Sequence, residues 1–463
     1  MKHPFHQIHL YEIGSRLFCG KKGKPLPLLL NEIQEKIPFG WADEIWLMGI
    51  WKNSPSSRKI AETMPALRPG YEAVKSKIEP GDVYGSPYAI YEYKPDPIIT
   101  DKDDLTEIYE WFQSKNKKLI LDFVPNHMAI DSPLVSNHPK SFLLANESKD
   151  FKDTFFHPNG NRYFYGKDPY FDGWTDTVQW DFSNPEVEGL HIQILREIAK
   201  QCDGVRCDMA MLPLHDVFEK THGKRSVYRW ETVIRTIKQE FPHFKFYAEV
   251  YWGLESKLLS LGFDATYEKR LYDLFLNQNL QAAKEKLCSE SNLNQIRFLE
   301  NHDEERAKHC FGENGKTYFS LLSANQGTIL FYDGQELGLS KKIPVQMIRT
   351  DEESTDLEAF AFYERALAAI QKREKSIFYR DPSYSEFNGL SIFCRLILSE
   401  NQRELIIWNP NDISCSGWIP FQDEIIYQKE LKDIVTGNVF PQEKKEEGLY
   451  FLLKPNELQW FTF

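Results

Sequence analysis

Four short segments of this chain set carboxylates, imidazoles or guanidinium groups directly after runs of apolar, strand-like residues. They are Asp122 to His127 (DFVPNH), Gly204 to Asp208 (GVRCD), Phe246 to Val250 (FYAEV) and Phe298 to Arg306 (FLENHDEER). Asp208 and Glu249 close consecutive runs, so their carboxyl groups can face each other across one end of a barrel. Cleaving a glycosidic bond through an oxocarbenium-like transition state requires such a pair, one carboxyl ionised at the anomeric carbon and the other protonated at the departing oxygen. Arg206, two residues before Asp208, projects to the same side of a strand, where its charge would keep Asp208 ionised and oriented. The rings flanking Glu249, namely Phe246, Tyr247, Tyr251 and Trp252, could desolvate it and favour its protonated form.

Polar groups at several strand ends converge only if the strands are parallel and their loops gather at one face, as in a (β/α) barrel. Strand-like runs are expected at Ile8–Ile13, Glu44–Met48, Lys118–Asp122, Gly204–Asp208, Lys245–Glu249, Gly262–Thr266, Arg297–Glu300 and Thr328–Tyr332. Helical periodicity fills several gaps. Leu105, Ile108, Tyr109 and Phe112 share one face ahead of the third strand, and Val187, Leu190, Ile194, Leu195 and Ile198 share another ahead of the fourth. Ser183-Asn184-Pro185 supplies a cap and then a proline at the first helical position. The alternation predicts an α/β protein built on an eight-stranded parallel barrel.

One connection is too long for a simple loop. More than fifty residues separate His127 from the helix near Pro185, rich in Asn, Asp, Gly, Pro and aromatic residues. A segment of this length reads as a functional insertion. After about residue 385 short strands with turn signals replace the alternation, which predicts an antiparallel β-sandwich. The expected division is therefore a barrel from 1–127 and 182–384, an inserted loop domain over 128–181, and a C-terminal sandwich over 385–463.

The chain's 463 residues accommodate this plan, with 41% hydrophobic and 27% charged residues as in an ordinary globular protein. A net charge of −12, with no basic stripe, argues against nucleic acid as a partner. The seven cysteines lack CxxC spacing and fit a reduced compartment. No apolar leader opens the sequence and no run reaches membrane-spanning length, so a soluble, cytoplasmic protein without a membrane partner is expected. No oligomeric state is implied. Aromatic residues make up 14%, a surplus suited to packing on sugar faces but equally to a large core.

The order and content of the four segments resemble the signature regions of the α-amylase superfamily, glycoside hydrolase family 13, over roughly residues 7 to 375. The resemblance implies that Asp208 is the nucleophile, Glu249 the general acid/base, and Asp303 the third carboxylate, which binds sugar hydroxyls and helps distort the ring. It implies that His127 and His302 hydrogen-bond the sugar and that Arg206 holds Asp208. Tyr88, in GSPYAIYEY, resembles the family's aromatic platform, although Ser86 and Pro87 precede it and Glu92 replaces an aspartate. Asp122 on its own reads as a turn or cap residue, and Asn126 as a loop brace.

The resemblance also raises a structural calcium, with Asn126 and Asp181 as ligands and no other cofactor required. That set is incomplete: Met211-Leu212 replaces the Lys-His pair expected after the nucleophile, leaving only a backbone carbonyl at Leu212. Met209, after Asp208, matches neither residue that family members use to favour α-1,4 or α-1,6 bonds. The implied function is a retaining hydrolase of α-glucans, malto-oligosaccharides or small α-glucosides. Two alternatives stand beside it: a transglycosylase or sugar isomerase using the same intermediate, and an inactive amylase-like module that binds glycan. The rings of the insertion, among them Phe164, Tyr165, Tyr170, Phe171 and Trp174, either wall the cleft against long chains or form the insertion's own core.

Overall fold

A computed structural model describes residues 3–145, 151–289, 294–373, 377–400, 402–420, 430–441 and 448–463. Eight parallel strands close into a barrel: β1 (Gln7–Gly14), β2 (Glu44–Met48), β3 (Lys118–Phe123), β4 (Gly204–Cys207), β5 (Lys245–Ala248), β6 (Ala265–Tyr267), β7 (Gln295–Arg297) and β8 (Gly327–Tyr332). Pairing of β8 with β1, from Gly327 opposite Gln7 to Tyr332 opposite Glu12, completes the ring.

Two strands differ from expectation. β6 begins three residues after Gly262, whose φ of 107° places it in a turn that a β-branched or bulky residue would strain. β7 ends at Arg297, because its pairing with β8 covers only Ile296 and Arg297; Phe298 onward already belongs to the loop. The helix ahead of β4 spans Glu186–Ala199, one residue later than Pro185 suggested, and the Asn184 side chain accepts the Glu186 amide at 3.0 Å. Its buried Val187, Leu190, Leu195 and Ile198 face the barrel, as their spacing requires.

The described part of the insertion consists of small antiparallel pairs, including His127–Ala129 with Thr177–Gln179 and Thr154–Phe156 with Arg162–Phe164; residues 146–150 lie outside the described set. Its rings divide their work. Tyr165 stacks on Phe155 at 5.1 Å, and Phe142 stacks on Trp180 at 4.1 Å, so these form the insertion's core. Trp174 instead packs against His127, and Tyr170 reaches Trp252 beyond β5 at 5.0 Å.

Among the described residues, the C-terminal part is two antiparallel sheets, of seven and three strands, enclosing Leu396, Leu405, Ile407, Phe451 and Leu453. The larger sheet also takes in His3–Pro4 and Phe378–Arg380, ahead of residue 385. A buried ion pair joins it to the barrel. Arg373 grips Glu404 at both oxygens, 2.6 and 2.7 Å, and also donates to Gln7 Oε1 and to the Ser323 carbonyl. Trp460 Nε1 donates to the same carboxylate at 2.8 Å. Because Glu404 is 1% exposed, Arg373→Ala strands a buried charge. The variant should lose about 3–5 kcal/mol of unfolding free energy in urea denaturation, whereas Glu404→Gln paired with Arg373→Met should lose less.

Candidate active site

β4 and β5 end one residue short of Asp208 and Glu249, so both carboxylates sit on the first loop residue above the barrel. Arg206, on β4, is 1% exposed and bridges them: one terminal nitrogen lies 2.7 Å from Asp208 Oδ1 and the other 2.6 Å from Glu249 Oε2. The same guanidinium stands 3.8 Å from Asp122 and 4.0 Å from Asp303. One cation is therefore shared among four carboxylates in a desolvated pocket.

Burial pushes both members of the catalytic pair upward, and Arg206 opposes the shift in each case. Glu249 rises to about 7, with the charges of Asp208 and Asp303 adding to burial. Asp208 is also raised, although its bond to Arg206 acts against this. Raised to about 7, Glu249 is the member that can still carry a proton near neutral pH. Asp303 goes the other way. Burial would raise it, but His302 and Arg206 outweigh that and bring it to about 2. Its side chain is 45% exposed, the most open of the group.

Met209 follows Asp208 with a φ of 41°, in the left-handed region that non-glycine residues seldom occupy. That turn aims its amide at Glu249 Oε2, 2.8 Å away. The expected ring cage around Glu249 is only partly present. Tyr251 donates to Glu249 Oε1 at 2.8 Å, but Tyr247 points within the barrel to Glu44, Phe246 packs outward against Phe244 and Phe263, and Trp252 is 41% exposed. The period of two along a strand explains this: Phe246 must face away from the barrel interior that Tyr247 enters.

His302 and Asp303 come from the loop after β7. Asn301 Oδ1 accepts the amides of Asp303 and Glu304, both at 2.9 Å, and Glu300 ties Arg306 and the Ala307 amide, which shapes the turn. His302 Nε2 contacts Tyr88 Oη at 2.7 Å and Asp303 Oδ2 at 2.9 Å, while Nδ1 lies 2.5 Å from Glu12 Oε1. Tyr88 stacks on His302 at 5.3 Å and lies under the Arg206 guanidinium, so it touches the cluster. Glu92 does not join it; it pairs with Lys52 and Lys94.

Asp122 is more than a turn residue. Its Oδ2 accepts the Gly49 amide at 2.8 Å while Oδ1 faces Arg206, and burial raises it to about 6. His127 is buried against Trp174 and is lowered to about 4, so it is neutral. The sequence does not single out Glu12, and it offers Tyr251 as a desolvating ring rather than as a hydrogen-bond donor to Glu249. Glu12 carried a signal: it is the one carboxylate inside the apolar run of β1.

Asn126 and Asp181 do not fit a calcium site. Gln179 Nε2 donates to Asn126 Oδ1 at 3.0 Å, Ser183 takes Asp181 Oδ1, and the Lys224 ammonium lies 3.0 Å from Asp181 Oδ2. An amine cation already occupies the face that a hard dication would need. Among the described residues no group of three or more His, Cys, Asp or Glu gathers as a metal-binding cluster, all seven cysteines are free, and no helix is long and apolar enough to cross a membrane.

A closed parallel barrel with carboxylates on successive strand ends, an insertion after β3 and a C-terminal sandwich define the class. No family model matches the chain. It is 23% identical over 394 residues to α-amylase 2 of Dictyoglomus thermophilum, covering 77% of this chain and 63% of that protein. It is 23% identical over 342 residues to a cyclomaltodextrin glucanotransferase of Bacillus sp. strain 1-1, covering 66% and 43%. The chain thus spans less than two thirds of the length of either relative. Among solved structures, a noncanonic maltogenic α-amylase from Thermotoga neapolitana superposes with a TM-score of 0.65 at 20% identity, and an α-amylase from Lactobacillus plantarum with 0.66 at 17%; each match covers 98% of both chains. In sequence and in fold the chain is similar to the α-amylase superfamily, glycoside hydrolase family 13.

Because Lys224 meets Asp181, neither EDTA nor added Ca²⁺ should move the melting temperature, since only a ligand bound by the folded state shifts it. A fall in melting temperature after chelation, restored by Ca²⁺, would show that Asn126 and Asp181 bind the ion.

Proposed function

We propose that this chain is a retaining α-glycoside hydrolase acting on α-glucans or malto-oligosaccharides by double displacement. The bridge from Asp208 through Arg206 to Glu249 carries the reading. Two carboxylates bonded to the two ends of one guanidinium are held close together, which favours the separation of about 5–5.5 Å used by retaining enzymes over the wider spacing that admits a water.

In this mechanism Asp208, ionised beside Arg206, attacks the anomeric carbon. Glu249, protonated through burial, hands its proton to the departing oxygen. The C–O bond of the glycoside breaks as the Asp208 ester forms. Glu249, now ionised, draws a proton from water, which attacks the anomeric carbon and releases Asp208. Asp303, His302 and His127 grip the sugar hydroxyls, Tyr88 offers a ring face, and Asp122 adds negative charge beside Arg206.

Transglycosylation is the second reading, and one observation favours it. Trp252 and Tyr170 lie edge to face at 5.0 Å, are 41% and 58% exposed, and Trp252 follows Glu249 by three residues. Exposed rings there can hold an acceptor sugar in place of water. Rings walling the cleft would favour short soluble substrates over long internal segments of starch.

Asp208→Asn and Glu249→Gln should each reduce kcat on maltodextrin by at least ~10³-fold, because the two groups act in one transition state. Near-native turnover in either variant would refute the assignment. Proton NMR of the first product should show the α-anomer. The active form of Glu249 is the acid, present below its pKa, so kcat/KM should fall as pH rises through about 7. Rates on maltose, maltotriose, maltoheptaose and starch should not climb steadily with chain length, and an added sugar acceptor should divert product if transfer competes.

A further inference from the structure

We propose that Glu12 is a positioning residue whose carboxylate holds His302 as an imidazolium, so that Nε2–H is always the donor offered to Asp303 and to a sugar hydroxyl. The sugar contact rests on the glycosidase reading above; the charge state of His302 does not.

Glu12 lies on β1 inside the barrel and is fully buried. Its Oε1 is 2.5 Å from His302 Nδ1, and its Oε2 has no hydrogen-bond partner among the described residues, so His302 is its principal contact. On the other side of the ring, Nε2 faces Asp303 Oδ2 at 2.9 Å. A neutral imidazole carries a single N–H. The imidazolium donates at both nitrogens, whereas either neutral tautomer leaves one nitrogen with only a lone pair to face a carboxyl oxygen. Tyr88 Oη, 2.7 Å from Nε2, keeps its own proton and can accept from the same N–H.

The surrounding charges do not overturn this. Asp122 from β3 and Glu300 near β7 add negative charge, and Tyr267 and Tyr332, from β6 and β8, are neutral phenols raised by burial. Arg206 from β4 is the opposing cation, and it is committed to Asp208 and Glu249. Burial would lower the imidazole, but Asp303 and Glu12 reverse this and carry it well above 6.5.

The test follows the imidazole directly. Long-range ¹H–¹⁵N correlation spectra of the full chain labelled at histidine, with His302→Gln assigning the signal, should show both ring nitrogens of His302 protonated from pH 5.5 through pH 8. In Glu12→Gln the titration midpoint should fall to about 7 or below, and Glu12→Asp should recover part of the loss. A neutral His302 at pH 7 in the unaltered protein, or an unchanged midpoint in Glu12→Gln, would overturn the proposal. Should Glu12→Gln fail to fold, the spectrum of the unaltered protein still decides. In kinetics, kcat/KM of Glu12→Gln on maltodextrin should acquire an additional ionisation near neutral pH that Glu12→Asp lacks. Absence of any glycosidase activity, with the imidazolium confirmed, would sink the functional reading and leave the Glu12 assignment standing.

Discussion

A single desolvated guanidinium organises this molecule. Arg206 is buried where an unpaired charge would cost several kcal/mol, and the barrel answers with carboxylates from β3, β4, β5 and the loop after β7. The carboxylates are equally dependent on the cation. Arg206 and the imidazolium proposed for His302 face more acids than they can offset, and burial raises Asp208 and Glu249 alike. Both lie within hydrogen-bond distance of the same cation, so what separates their environments is the remaining neighbours, Tyr251 and the Met209 amide at Glu249.

The loops exist in the shapes that hold this arrangement. Gly49 presents its amide to Asp122, Met209 twists into left-handed backbone to present its amide to Glu249, and Asn301 folds the turn that raises His302 and Asp303. The insertion closes over the same face. Gly166 runs so near His127 that an added Cβ would sit 2.9 Å from the histidine's own, which is why the chain there can press Trp174 onto that ring. At the opposite side of the molecule, the Arg373–Glu404 pair fastens the C-terminal sheet to the barrel, so the N-terminal strand, the last barrel helix and the sandwich share one buried charge pair.

Much of this was legible from residue order. Apolar runs bounded by turn residues locate six of the eight strands to within a residue or two, and the four polar segments contain Asp122, Asn126, His127, Arg206, Asp208, Glu249, His302 and Asp303. Short strands were harder. β6 and β7 pair over only two or three residues, and such runs are set by their neighbours' register more than by their own pattern. The contact between Lys224 and Asp181 is not legible in the sequence, because those residues are 43 positions apart and meet only in the fold.

The sequence by itself determined the barrel, the insertion after β3, the sandwich and the identity of the polar groups, because alternation, periodicity and strand-end placement are local properties. Tertiary structure decided which of those groups touch. That Arg206 joins Asp208 to Glu249, that Tyr251 alone of four nearby rings meets the Glu249 carboxyl, and that Glu12 lies behind His302 some 290 residues away all depend on how a closed ring of strands superimposes distant positions. Charge state belongs to the same category, since burial and neighbouring charges come from every part of the chain at once.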